Sequence, residues 1–241
     1  MLLDRLFDQL ARALSPSDST FEQAIRRAVR IGKILERDPD MQVAFTEVGG
    51  SCGKETATAP LNDADLFVYL KPGSWTGARG TELASATVLR EFEDRVEHAY
   101  RSHVEEGRVR VRRQTHSLRL EPRGADSISV DVVPLRWDGN REHIVMVPDR
   151  DTRGWRSTCV RRQHELLAEL DCSGRPVRRA IRLLKQWRAH HDLQLRSYAI
   201  EILVLHAAYS GVPKHPRRLI WSVLDQIVAT EMREPVVIPR Y

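Results

Sequence analysis

The chain has 241 residues, a formal net charge of +5 and 41% hydrophobic content, enough for one compact body or two small lobes. Cys52, Cys159 and Cys172 lack the paired spacing of a disulfide framework or zinc site, and no run reaches the ~20 apolar residues that span a bilayer, so a cytoplasmic chain without a membrane role is expected. The positive charge is mostly arginine, which suits polyanionic partners but also follows from codon bias.

Helical periodicity over Leu3–Leu14 is broken by Ser15-Pro16-Ser17-Asp18, which caps a second helix over about Phe21–Glu36. A strand over Gln42–Val48 runs into Gly49-Gly50-Ser51, and Asp65–Leu70 reads as an apolar strand reached through a polar loop. A helix over Thr81–Glu106 follows, then strand-like runs at Arg108–Arg113, His116–Glu121 and Ser127–Leu135. From about Thr152 the pattern predicts only helices: one to Leu170, then Arg175–His191, Ser197–Tyr209 and Pro216–Thr230. The last residues, EMREPVVIPRY, carry two prolines and predict an extended tail.

The chemistry concentrates where Gly49-Gly50-Ser51 is followed by Asp63-Ala64-Asp65 at the head of an apolar strand. Strand alternation puts Asp63 and Asp65 on one face, where their carboxylates can share divalent cations. Asp131 lies in an otherwise apolar strand, Ser129-Val130-Asp131-Val132-Val133, and a pair of magnesium ions, with manganese as a substitute, would satisfy it. Gly50 lets backbone approach phosphate oxygens, the Ser51 hydroxyl can donate to them, and Lys54 adds positive charge. Each piece is common alone; their order makes the signal. Neighbouring His190 and His191 on a helix point about 100° apart, so surface or core roles are expected of them.

The segment GGSCGKETATAPLNDADLFVYL resembles the nucleotidyltransferase signature of the oligoadenylate synthetases and of the bacterial enzymes related to cyclic-GMP-AMP synthase. The resemblance implies an α+β fold, a polymerase-β-like nucleotidyltransferase core with a mixed sheet followed by a helical C-terminal lobe. It divides the chain into N-terminal helices and catalytic core at 1–150, a helical nucleotide-binding lobe at 151–230 and the tail at 231–241. The likeness continues through AIRLLKQWRAHHDLQLRSYAIEILVLHAAY, and implies Lys185 and Ser197 on the triphosphate and Tyr198 against the base. Read without it, Lys185 is a solvated helix lysine, Ser197 an N-cap and Tyr198 a core aromatic. Cys52 and Glu55 depart from the synthetases' phosphate loop.

With its final Ile238-Pro239-Arg240-Tyr241, the chain also resembles the polymerase component of the bacterial Hailong antiphage system. That resemblance implies template-independent joining of nucleoside triphosphates, dATP or ATP, into a single-stranded oligonucleotide primed by Tyr241, which governs a partner effector protein; the enzyme itself could be oligomeric. Two alternatives are a synthase of a diffusible cyclic or linear oligonucleotide second messenger and a non-catalytic, antitoxin-like subunit. The bland reading of Tyr241 is an anchor for the tail.

Overall fold

The computed structural model describes residues 2–76, 83–103, 109–122, 128–137, 145–172, 176–211 and 215–230. In chain order they form α1 (Leu2–Ala13), α2 (Asp18–Arg37), a 3-10 turn (Pro39–Met41), β1 (Val43–Gly49), α3 (Gly50–Gly53), β2 (Asp63–Leu70) and α4 (Ser85–His103). Then come β3 (Val109–Arg113), β4 (Leu118–Pro122), β5 (Ser129–Arg136), β6 (Val145–Pro148), β7 (Trp155–Thr158), α5 (Val160–Cys172), α6 (Val177–His190), α7 (Ser197–Tyr209) and α8 (Pro216–Thr230). The fold is α+β. Two compact units share these elements: a sheet unit of Asp18–Gly53 and Leu61–Arg162, and a helical unit of the remainder.

In the sheet unit the strands run in the order β1-β2-β5-β4-β3, with β6 on β5 and β7 on β6. Among the described residues only β2 and β5 pair in parallel; the other pairings are antiparallel, giving a mixed sheet. Alternation decides the faces. Ala64, Leu66 and Val68 of β2 and Val130 and Val132 of β5 are buried, and α2 packs on these two strands and on β1. Asp63, Asp65 and Asp131 take the intervening, less buried positions.

The helical unit is built around α7, whose apolar residues occupy every side because α6 and α8 both pack on it. Ile181 and Leu184 of α6, Ile200, Leu203 and Val204 of α7 and Leu219 and Val223 of α8 share one core. Burying each such side chain stabilises the fold by roughly 1.5–3 kcal/mol. Asp4 and Asp8 tie α1 to this bundle through Arg217 and Arg179. Among the described residues no helix is long and apolar enough to cross a membrane.

Contrary to the sequence reading, the stretch after Thr152 does not begin with a helix. Trp155–Thr158 forms β7 and pairs with β6, two four-residue strands absent from the sequence reading; Val145 and Pro148 are the buried ends of β6. Runs this short carry too little alternation to register, and pairing with each other and with β5 makes them strands.

Candidate active site

Asp65 of β2 and Asp131 of β5 are register partners, and Asp63 faces Ser129 two residues along the same pairing. Parallel neighbours lie ~4.8 Å apart, so the three carboxylates project from a small area of one sheet face. Arg119 comes from β4, where it is the register partner of Asp131. Its Nε donates to Asp131 Oδ1 at 2.8 Å, and its Nη2 donates to Asp131 Oδ2 at 3.0 Å and to Asp63 Oδ2 at 2.6 Å. Gln114 adds a donor at 3.3 Å to Asp131 Oδ1 and is itself fixed by the Ser117 hydroxyl. The Asp131 hydrogen bonds, with the charges of both acids, outweigh partial burial and raise the guanidinium's pKa above its already high ordinary value.

Oxygen-only donors of this kind suit magnesium or manganese. Among the described residues no three acidic, histidine or cysteine side chains converge tightly enough to hold an ion as they stand. The cation between Asp63 and Asp131 is a guanidinium, which demonstrates that this part of the face accommodates positive charge. The acids therefore fit a divalent group in donor chemistry.

Gly50 opens α3 with φ +57°, and a Cβ there would fall on the Asp65 carboxylate. A Cβ at Gly49 would fall on the Phe67 ring. Both positions thus need glycine for close approach, which brings the backbone of the Gly50-Ser51 turn against the acid face. Buried Cys52 contacts the Asp63 carbonyl at 3.8 Å and ties the turn to the start of β2.

Lys54, Lys185, Ser197 and Tyr198 belong to the helical unit. Lys54 and Lys185 are 8% and 6% exposed, and both ammonium groups bind the buried carboxylate of Glu201. Lys185 Nζ lies 2.7 Å from Glu201 Oε1 and also donates to the Thr56 hydroxyl and carbonyl. Burial pushes the Glu201 pKa up, but the two lysines more than offset it and hold the carboxyl below its ordinary value. Burial also lowers the Lys185 pKa despite Glu201. Lys185 is therefore no solvated lysine.

Gln163 accepts from Lys54 at 3.4 Å and donates to the Tyr198 hydroxyl at 3.1 Å, leaving Tyr198 52% exposed rather than in the core. Ser197 is the first residue of α7, not its cap; its hydroxyl accepts from Arg188 at 2.9 Å. Sequence reasoning missed Arg119, Gln114, Glu201 and Gln163. The signal for Arg119 and Glu201 was a charge inside an apolar run, Leu118-Arg119-Leu120 and Ile200-Glu201-Ile202, the same signal that marked Asp131. Tyr241 lies outside the described residues.

The family of Second Messenger Oligonucleotide or Dinucleotide Synthetase domains matches residues 1–170, and the chain belongs to it. It is thus a nucleotidyltransferase of the type outlined by the synthetase resemblance. A "Cyclic AMP-AMP-AMP synthase" of Escherichia coli (strain MS 115-1) is 25% identical over 92% of this chain and 68% of its own length. The CdnC structure of E. coli MS115-1 with ATP covers 97% of this chain and 74% of that one, at 22% identity and a TM-score of 0.78. In its complex with HORMA-deltaN the figures are 97%, 72%, 21% and 0.75. The CdnE cyclic dinucleotide synthase of Elizabethkingia meningoseptica, solved with GTP and Apcpp, covers 94% of this chain and 84% of that one, at 14% identity and a TM-score of 0.67. These structural likenesses establish the fold.

Proposed function

We propose that this chain joins nucleoside triphosphates into an oligonucleotide second messenger, with Asp63, Asp65 and Asp131 as ligands of two divalent ions, magnesium or manganese. The observation that carries the reading is the pairing of Asp65 with Asp131 on adjacent parallel strands, with Asp63 on the same face. Such ions, when bound, activate an attacking hydroxyl and stabilise departing pyrophosphate. Gly50 and Ser51 offer amide and hydroxyl donors to phosphate oxygens. Lys185 and Ser197 are proposed as nucleotide contacts on the synthetase resemblance, and Lys54 for the positive charge it adds after the Gly50-Ser51 turn. Tyr198, fixed at its hydroxyl by Gln163, presents a ring face for a base, a contact worth ~1–3 kcal/mol. The assignment of 1–150 as N-terminal helices and catalytic core, 151–230 as helical nucleotide-binding lobe and 231–241 as extended tail belongs to the same proposal.

A diffusible product is favoured because the matched family is named for second messengers and a relative covering most of the chain is named a cyclic AMP-AMP-AMP synthase. A protein partner is proposed by analogy with CdnC, solved with HORMA-deltaN. The Tyr241-primed reading, on the Hailong pattern, rests on the resemblance of the tail alone. Incubation with each labelled triphosphate and magnesium, followed by ultrafiltration, separates the two. Label in a nuclease-sensitive species in the filtrate supports the second messenger; label retained on wild-type protein but lost from Tyr241→Phe supports priming. No incorporation with any triphosphate would favour the non-catalytic subunit.

A further inference from the structure

The sheet face that carries the acids also carries a cation of its own. Arg119 grips Asp131 with two nitrogens, Nε on Oδ1 and Nη2 on Oδ2, and the same Nη2 reaches across to Asp63 Oδ2. One nitrogen therefore links two carboxylates. Strand geometry fixes this placement, because Leu118 and Leu120 on either side are fully buried and turn Arg119 to the acid face.

The two contacts differ in strength. Asp131 is held by a bidentate fork and by Gln114, and its side chain is only 13% exposed. Asp63 has one contact with Arg119, and its side chain is 47% exposed. An arginine cannot give up its charge near neutral pH, so competition at this face is between cations rather than protonation states.

We propose that Arg119 is the resident counter-cation of the acid face: it holds Asp63 and Asp131 together when no divalent ion is bound, yields its contact with Asp63 when one binds, and so sets the metal affinity. The inference rests on the metal reading of the acids given above. Arg119 is a positioning residue here, acting through Asp63 and Asp131. A purely structural arginine would leave metal affinity unchanged or reduce it on removal, whereas a competing cation repels the incoming ion, and its removal tightens binding.

The test is Mn2+ alone, titrated into the purified full chain, with free Mn2+ read by electron paramagnetic resonance. Arg119→Gln should bind Mn2+ roughly tenfold more tightly than wild type, and Arg119→Lys, which keeps the charge, should stay close to wild type. In metal-free buffer Arg119→Gln should melt lower than wild type, and saturating Mn2+ should raise its melting temperature by more. Equal or weaker Mn2+ binding by folded Arg119→Gln overturns the proposal. If that binding is still abolished by Asp131→Asn, the metal reading of the acids stands without it; no Mn2+ binding by wild type or Arg119→Gln overturns both.

Discussion

Asp65 and Asp131 are register partners across the β2–β5 pair, the sheet's one parallel pairing among the described residues. Strands joined this way come from distant parts of the sequence, so the acid face forms only when the sheet does. Its carboxylates are partly exposed and carry no core packing, so their contribution to folding is confined to polar contacts such as those with Arg119. Asp63→Asn, Asp65→Asn and Asp131→Asn should each lower pyrophosphate release at least about a hundredfold; the melting temperature should stay near wild type for Asp65→Asn and fall for Asp131→Asn, which takes the bidentate partner from Arg119. Near-normal turnover in two of the three would break the assignment.

Gly50 and Gly73 both have positive φ, +57° and +73°, but only Gly50 lies against an acid; a Cβ at Gly73 would meet nothing within 4 Å. Alanine at either position should cost ~1–3 kcal/mol of backbone strain, measurable by denaturant titration. Only Gly50→Ala should also lose nucleotide incorporation, because its methyl group displaces the Asp65 carboxylate. Equal activity in the two variants would remove the turn from the site.

Glu201 is the shared counter-ion of Lys54 and Lys185, and all three are buried. Glu201→Ala leaves two unpaired ammonium groups and should destabilise the chain by about 3–5 kcal/mol. The Glu201 pKa in the folded chain lies below its ordinary 4.5, so its contribution is fully present above that value and is lost as pH falls through the lower, folded one. Chemical denaturation from about pH 6 to about pH 3 should therefore show an acid slope in wild type that is shallower in Glu201→Gln. An unchanged slope would mean that Glu201 does not carry it.

Lys185→Ala should raise the triphosphate KM more than it lowers kcat, if the lysine holds phosphate equally in ground and transition states. Steady-state kinetics of pyrophosphate release measure the split. A normal KM would leave Lys185 with the structural task of satisfying Glu201.

Much of the fold could be read from the sequence where periodicity is long and uninterrupted. Ser197–Tyr209 and Pro216–Thr230 form helices with the expected bounds, and β2 and β5 form at the apolar runs read as strands. The placement of Asp63 and Asp65 on one face needed only the two-residue repeat of a strand. Pairing was not local information: nothing in Arg119's neighbourhood names Asp131 as its register partner, and nothing near Lys54 names Glu201. The strands β6 and β7 were illegible for a related reason, since four residues acquire strand character only from the neighbours they pair with.

The most direct measurement is mass spectrometry of the small-molecule fraction after wild-type and Asp65→Asn proteins are incubated with the four ribonucleoside triphosphates and magnesium. The account predicts a nuclease-sensitive oligonucleotide, free of protein, made by wild type and absent with Asp65→Asn. A wild-type reaction with no free oligonucleotide, or equal product from both proteins, would contradict it.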